Sequence, residues 1–133
     1  MKKNKISKTW INKQRRDIYV RKSKLEGYRS RAIYKLKEID DKFKIIRNGI
    51  KVVDLGSAPG SWSQYLSERS KNSKILSIDL KDIEKIHNVT HLIGDFLDEK
   101  NQTIISNFFK DKLDLIVSDM AVNTTGNKNL DAI

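Results

Sequence analysis

The chain of 133 residues contains no cysteine, two histidines and one proline. Without cysteine it can form neither a disulfide nor a thiol nucleophile, which fits a reducing compartment. His87 and His91 have no cysteine or acidic cluster at metal-ligand spacing, so we assign no metal. No apolar stretch approaches the ~20 residues of a membrane span. Because the amino terminus is charged and lacks the apolar segment of a secretory signal, we expect a cytoplasmic protein without membrane contact.

Acidic residues are scarce in the first part of the chain. Residues 1–50 hold 17 Lys or Arg against 5 Asp or Glu, whereas residues 51–133 hold 10 against 12. Such asymmetry indicates a polyanion-binding segment attached to a near-neutral domain. A general preference for lysine would have enriched both parts. We therefore expect residues 1–30 to form a basic RNA-binding arm, as a short helix or an irregular segment. Tyr19 in this arm could stack on a base, but a lone aromatic more often packs on its own domain.

One stretch combines a strand, a glycine-rich turn and the start of a helix. Residues 51–55 are mostly β-branched or apolar, the turn runs from Gly56 to Gly60, and a helix follows from Trp62. This geometry brings the backbone close to a cofactor at the end of a parallel strand, where a Cβ atom would obstruct the ligand. The turn lacks the GxGxxG pattern of dinucleotide-binding proteins and the GK[ST] of P-loops. Taken alone, it could equally be ordinary turn chemistry.

Three further apolar runs follow, and each ends beside an acidic residue. Asp79 follows the run at 75–78, Asp95 follows the run at 91–93, and Asp119 follows the run at 113–117. The ends of parallel strands meet in one crevice, so these carboxylates should lie close together. One such residue would be explained as a turn residue, but three at successive strands are poorly explained by coincidence. The runs predict an α/β fold with a Rossmann-like, mostly parallel sheet and helices on both faces.

A helix is also predicted between the basic arm and the first strand, with Ser30 as its N-cap. Lys35 lies about 100° around this helix from Leu36, at the edge of the buried face, where it should be partly desolvated. On spacing alone, a lysine that extends its amine into solvent explains the position best. Four residues at helical spacing form the predicted buried face: Ala32, Leu36, Ile39 and Phe43.

Together these motifs resemble the FtsJ/RrmJ family of S-adenosylmethionine-dependent ribosomal RNA 2′-O-ribose methyltransferases. The resemblance rests on VVDLGSAPGSWSQYL, SIDL, GDF and SDMAVNTTG, behind an upstream RSRAIYKLKEID, and extends from about Trp10 to the last residue. Two departures are visible, because PGSW replaces the family's PGGW and DMAVN replaces its DMAPN. Neither departure removes a side chain that would carry chemistry.

The resemblance implies transfer of a methyl group from S-adenosyl-L-methionine to the ribose 2′-hydroxyl of a uridine in large-subunit (23S) ribosomal RNA. The implied partner is the assembled 50S subunit, and the implied role is rRNA processing in ribosome biogenesis. Lys35 would deprotonate or orient the hydroxyl together with Asp119, as part of a catalytic Lys-Asp-Lys-Glu set. The second lysine and the glutamate of that set would lie beyond Ile133. The residues implied to contact the cofactor are Gly60, Trp62, Asp79, Asp95 and Asp119.

The length of the chain leaves other readings open. It stops short of a whole family domain, so we expect residues 31–133 to form only the amino-terminal portion of a methyltransferase domain that is truncated at its C-terminus. One alternative is a non-catalytic RNA- and cofactor-binding fragment, because part of the catalytic set is absent. Another is an mRNA cap 2′-O-methyltransferase, which would need a cap-stacking pocket that the sequence does not reveal. We expect a monomer.

Overall fold

The computed structural model describes the backbone of residues 2–120 and the side chains from residue 7 onward. Within this part the chain forms helices and parallel strands, which largely alternate after the first two helices. In chain order the elements are α1 (Lys2–Leu25), α2 (Ile33–Phe43), β1 (Lys51–Leu55), α3 (Ser61–Arg69), β2 (Lys74–Asp79), β3 (Val89–Ile93), α4 (Glu99–Phe109) and β4 (Leu115–Ser118).

The strands form one sheet in the order β3-β2-β1-β4, and every neighbouring pair is parallel. Helix α3 connects β1 to β2, α4 connects β3 to β4, and an irregular loop connects β2 to β3. Because β1 is central, Leu55 at its carboxyl end lies between Ile78 of β2 and Ser118 of β4. The strand ends therefore meet at one edge of the sheet, as the prediction required. The α/β fold class is confirmed.

Side chains alternate between the two faces of the sheet, so β1 and β2 each contribute to two apolar clusters. Val52 and Ile75 pack in one cluster with residues from α2 and α3. Val53 and Leu76 pack in the other with residues from α4. Helices therefore cover both faces of the sheet, as predicted. This burial holds the strand ends in place, which is what positions the side chains that follow them.

Helix α2 begins later than predicted. Its first residue is Ile33, and Ala32 at the N-cap position makes no side-chain capping hydrogen bond. The predicted cap, Ser30, instead shares a hydrogen bond of 2.8 Å with the hydroxyl of Ser61. The assignment of Ser30 as a cap was wrong because the sequence could not show that Ser61, at the start of α3, would be its neighbour.

The predicted buried face of α2 was correct at Leu36 and Ala32 but wrong at Phe43. Phe43 is 64% exposed, whereas Asp40 is buried with Leu36. A carboxylate can occupy this core position because its hydrogen bonds are satisfied. Asp40 accepts from the backbone N–H of Ile46 at 2.9 Å and from the Tyr65 hydroxyl at 2.8 Å. The hydrogen bonds of Asp40 therefore allow a carboxylate to be buried at a position of α2 where an apolar side chain would be expected.

Helix α1 is a continuous, strongly basic helix of 24 residues, where a short helix or an irregular arm was predicted. Ten of its residues are Lys or Arg and one is Asp. Its carboxyl-terminal half contacts the rest of the protein through Tyr19, whose ring lies 5.4 Å from the ring of Tyr34.

None of the helices in residues 2–120 combines the length and the apolar character needed to cross a bilayer.

Candidate active site

A cavity of about 480 Å³, here called the inner cavity, opens at the carboxyl ends of β2 and β3. Asp79 and Asp95 are its acidic lining residues. Leu80, Phe96 and Leu97 form apolar walls, and the two leucines are largely exposed. Exposed apolar side chains grouped around a few polar atoms are typical of a ligand pocket. The chemistry of this lining suits a ligand with a flat apolar ring and several hydrogen-bond donors.

The two carboxylates of the inner cavity are fixed by backbone hydrogen bonds. Asp79 accepts from the N–H of Ala58 at 3.0 Å and from the N–H of Lys81 at 2.9 Å. Asp95 accepts from the N–H of Leu97 at 2.9 Å. Each ionised carboxylate has about four acceptor positions, so both retain capacity for a ligand. The contact with Ala58 also ties the end of β2 to the glycine-rich turn between Gly56 and Gly60.

The glycine-rich turn has no room for a side chain at Gly56. This residue has a φ of +71°, and a Cβ atom there would lie 2.1 Å from Cγ of Met120. Gly60 has a φ of +112° and is the N-cap residue of α3. Positive φ angles are easily adopted only by glycine, which explains both positions. The peptide bond between Ala58 and Pro59 is cis.

A second cavity of about 70 Å³, the bridging cavity, lies directly behind this turn. It shares Gly56 with the inner cavity, and Ser57, Trp62 and Asp119 are also in its lining. The hydroxyl of Ser57 is buried and has no hydrogen-bond partner among residues 2–120. Buried hydroxyl groups in folded proteins are normally paired, since an unpaired one costs about 1–3 kcal/mol. The unpaired Ser57 hydroxyl therefore fits a site that receives a polar ligand.

Asp54 is the most deeply buried acid at the bridging cavity, with 1% of its surface exposed. Its pKa is raised to about 7, mainly because burial disfavours the charged form and in smaller part because of the nearby charges of Asp119 and Asp79. A hydrogen bond of 2.8 Å from the Ser63 hydroxyl opposes this shift. Asp54 received no role from the sequence because it lies within an apolar strand. An acid in the middle of such a strand is the signal that would have identified it.

Lys35 and Asp119 form an ion pair, with 3.2 Å between Nζ and the nearer carboxylate oxygen. The pair lies in a third cavity of about 590 Å³, the outer cleft, lined by Tyr19, Arg31, Tyr34, Lys35, Glu38 and Asp119 among others. The predicted partial desolvation of Lys35 was wrong, because 67% of its side chain is exposed. Lys35 extends into the cleft, beyond the packed face of α2.

The profile of the FtsJ-like methyltransferase family matches residues 28–133. The chain belongs to this family. A Pelagibacter ubique protein named ribosomal RNA large subunit methyltransferase E is 61% identical over the whole chain, which covers 66% of that protein. A protein of the same name from Legionella pneumophila strain Corby is 45% identical over 98% of the chain, which covers 65% of it. The chain thus spans about two thirds of the length of these relatives.

A solved structure supports the same assignment. The crystal structure of a protein described as a ribosomal RNA methyltransferase from Plasmodium falciparum matches with a TM-score of 0.67 and 38% sequence identity. The match covers 78% of this chain and 62% of that protein. The identification as a member of the FtsJ family, made from the motifs, is therefore confirmed.

The residues predicted for cofactor binding and catalysis in this FtsJ-like chain are distributed over the three cavities. Asp79 and Asp95 line the inner cavity, and Asp119 borders both the bridging cavity and the outer cleft. Trp62 reaches the bridging cavity but is otherwise buried, and its indole N–H donates to the Ala32 carbonyl at 2.7 Å. Gly60 lines none of these three cavities and packs against Arg29. Lys35 is confined to the outer cleft.

Arg29 is a positioning residue that the sequence analysis missed. Its Nη1 atom donates to the carbonyls of Pro59 at 3.0 Å and Glu84 at 2.7 Å, and its Nη2 atom donates to the carbonyl of Lys85 at 3.2 Å. One guanidinium therefore joins the glycine-rich turn to the loop between β2 and β3. The Arg29 backbone N–H also donates to the Gln64 side chain at 2.9 Å. No local pattern reveals such a role, because all its partners are distant in sequence.

Proposed function

We propose that this chain belongs to an enzyme that transfers a methyl group from S-adenosyl-L-methionine to the ribose 2′-hydroxyl of a uridine in large-subunit ribosomal RNA. The observation that carries the proposal is the position of Asp119, which borders the bridging cavity on one side and the outer cleft on the other. A cofactor in the inner and bridging cavities and a nucleotide in the outer cleft would meet at this residue. Proximity and orientation of this kind supply much of the acceleration in such transfers.

The described residues fit the proposed cofactor. Asp79 and Asp95 would accept hydrogen bonds from hydroxyl and amino groups of its nucleoside, and the apolar walls of the inner cavity would contact its ring. The unpaired Ser57 hydroxyl would gain a partner. Asp54 and Asp119 would attract the cationic end of the molecule. The chemistry that the cofactor supplies when bound is an electrophilic methyl group, for which the chain itself offers no substitute.

On the acceptor side, the residues must hold one hydroxyl and remove one proton. Lys35, Glu38 and Asp119 are ionisable residues in the lining of the outer cleft. The Lys35 ammonium, held by Asp119 at 3.2 Å, can donate a hydrogen bond to the 2′-oxygen and so fix its direction. Because Lys35 is largely exposed, we assign it an orienting role rather than that of a strongly desolvated base, and the hydroxyl proton would pass to the neighbouring Asp119 carboxylate and from there to solvent.

The RNA would be bound in part by the basic arm, residues 1–30. Helix α1 carries ten Lys or Arg, and its carboxyl-terminal half borders the outer cleft through Tyr19. Lys and Arg side chains along a helix neutralise phosphates and release counterions, which provides affinity without sequence preference. We propose that the enzyme acts as a monomer on the assembled subunit in the cytoplasm.

A second candidate function is binding of RNA and cofactor without turnover. The observation that favours it is the composition of the outer cleft. Within residues 2–120, Lys35 is the one lysine that lines the cleft, and it is paired with Asp119, so a second catalytic lysine is not seen there. A binding module would need the three cavities and the basic helix but no further catalytic groups. The two candidates differ in whether a methyl group is transferred.

Labelled methyl transfer distinguishes the two candidates and tests the proposed function. Large ribosomal subunits that lack the modification would be incubated with the protein and S-adenosylmethionine carrying a labelled methyl group. We expect label in the rRNA, recovered as 2′-O-methyluridine by nuclease digestion and mass spectrometry. Cofactor binding without label would favour the binding module, and label on a base would contradict the ribose assignment. Isolated rRNA, tested in parallel, shows whether the assembled subunit is required.

The carboxylates of the inner cavity can be tested by binding alone. Asp79→Asn and Asp95→Asn should each weaken S-adenosylmethionine binding by roughly 1–3 kcal/mol, because each places an amide N–H opposite a ligand donor. Isothermal titration calorimetry measures the change. Asp82→Asn is the matched control, since Asp82 is exposed and lies outside the inner cavity. Unchanged affinity in both cavity variants would contradict the cofactor assignment.

A further inference from the structure

The outer cleft has an aromatic wall that the proposed methyl transfer does not use. The ring of Tyr19 lines the cleft together with Tyr34, Arg31 and the Lys35–Asp119 pair. Its volume of about 590 Å³ is in the range of small-molecule sites. The same wall therefore faces the space into which the reacting nucleotide would have to enter.

Tyr19 packs against another aromatic ring but keeps part of its surface exposed. Its ring lies 5.4 Å from the ring of Tyr34 at an interplanar angle of 35°, and Tyr34 is in turn in edge contact with Tyr28. Lys22 places its ammonium 4.9 Å from the centre of the Tyr34 ring. Even with these contacts, 43% of Tyr19 is exposed. A packed ring with a free surface loses little conformational freedom when another ring stacks on it.

The charges around the cleft indicate which kind of molecule would supply that second ring. Tyr19 belongs to a helix with ten Lys or Arg and one Asp. The cleft lining itself is balanced, with Arg31 and Lys35 against Glu38 and Asp119, so the cationic surface beside Tyr19 is that of the helix. A cationic surface of this kind attracts a phosphate backbone. Aromatic side chains beside such a surface commonly receive unstacked RNA bases. An apolar peptide would match the ring but not the surrounding charge.

We propose that Tyr19 is the stacking surface for the base of the RNA nucleotide that enters the outer cleft. The inference rests on the proposed function and names the contact by which its substrate is held. Base and ribose would have separate partners, since Tyr19 contacts the base while Lys35 and Asp119 contact the 2′-hydroxyl. Stacking accepts any base, so this contact gives affinity and placement, and the identity of the base is selected elsewhere.

Binding of two short RNA probes tests the proposal. One probe is a uridine oligomer, and the other is an oligomer of the same length whose nucleotides lack bases. Fluorescence anisotropy gives the affinity of each probe for the parent chain, for Tyr19→Leu and for Tyr19→Phe. Phe43→Leu is the matched control, because Phe43 is an exposed aromatic outside the cleft. Thermal unfolding of each variant shows that it is folded.

We expect Tyr19→Leu to bind the uridine oligomer ~5- to 150-fold more weakly than the parent, the usual effect of removing one stacked ring. Tyr19→Phe should keep the parental affinity. Both should bind the abasic oligomer like the parent. The dependence of affinity on salt should be the same in all variants, because a stacking contact releases no counterions.

Other outcomes would overturn the proposal. Equal affinity of the parent and Tyr19→Leu for the uridine oligomer would show that the ring is not used, and would leave the proposed function intact. An equal loss on both probes would show that Tyr19 only positions α1. A similar loss in Phe43→Leu would show an unspecific effect of removing an aromatic. If the parent chain bound neither probe, the proposal that its substrate is RNA would be contradicted, and the proposed role of Tyr19 would be contradicted as well.

Discussion

Lys35→Ala is expected to lower the rate of methyl transfer by ~10²- to 10⁴-fold, the usual contribution of a group that orients or deprotonates a reacting hydroxyl. The side chain lies in the outer cleft and lines neither cavity assigned to the cofactor. Affinity for S-adenosylmethionine should therefore stay at its parental value. Single-turnover methylation, measured in a protein with the full length of the relatives, reports the rate separately from binding.

Two further variants sharpen this test. Lys35→Arg should also be slow, because a guanidinium directs its N–H groups differently from an ammonium. Lys37→Ala is the matched control, since Lys37 is on the same helix but outside the outer cleft. A parental rate in Lys35→Ala would mean that Lys35 is an ordinary surface lysine. Equal losses in the Lys35 and Lys37 variants would point to general electrostatic attraction of RNA.

Asp54→Asn is expected to remove a component of the pH dependence of stability. The pKa of Asp54 is raised from 3.8 to about 7, so the folded protein retains a proton that the unfolded chain has released. This contribution to stability is fully present below the unfolded pKa and is lost as the pH rises through the folded pKa. Between about pH 5 and about pH 8 the parent should lose on the order of 2–3 kcal/mol that the variant does not lose.

Urea unfolding at a series of pH values measures this difference. Asp41→Asn is a suitable control, because it makes the same substitution at an exposed acid. Ser63→Ala removes the hydrogen bond that opposes the shift, so the loss of stability should extend to higher pH. Parallel curves for the parent and Asp54→Asn would contradict the raised pKa.

Sequence patterns predicted the sheet well and the surroundings of the site less well. The β-branched runs at Val52–Val53 and Ile75–Leu76 identify buried parallel strands because burial on both faces requires continuous apolar residues. The acids after the strands could be placed at one edge from topology alone. That Asp119 would lie beside Lys35 came from the family resemblance, and the structure bears it out at 3.2 Å.

The errors have a common physical origin in contacts between distant segments. The buried carboxylate of Asp40 depends on Tyr65, and the displaced Ser30 depends on Ser61. Helical periodicity assumes that only apolar residues are buried, so it assigned Phe43 to the core. Arg29 acquires its role from the turn and the loop that it contacts, and that role does not follow from the local sequence. Asp54 differs, because an acid within an apolar strand is a local signal.

The segment between α1 and α2 has a consequence for how the two proposed substrates would influence each other. Residues 26–32 connect the basic helix to the start of α3, through Arg29, Ser30 and the Ala32 carbonyl. Arg29 also holds the glycine-rich turn. Any effect on binding that is transmitted through this segment must be reciprocal. By whatever factor the methyl donor changes the affinity for RNA, RNA must change the affinity for the methyl donor by the same factor.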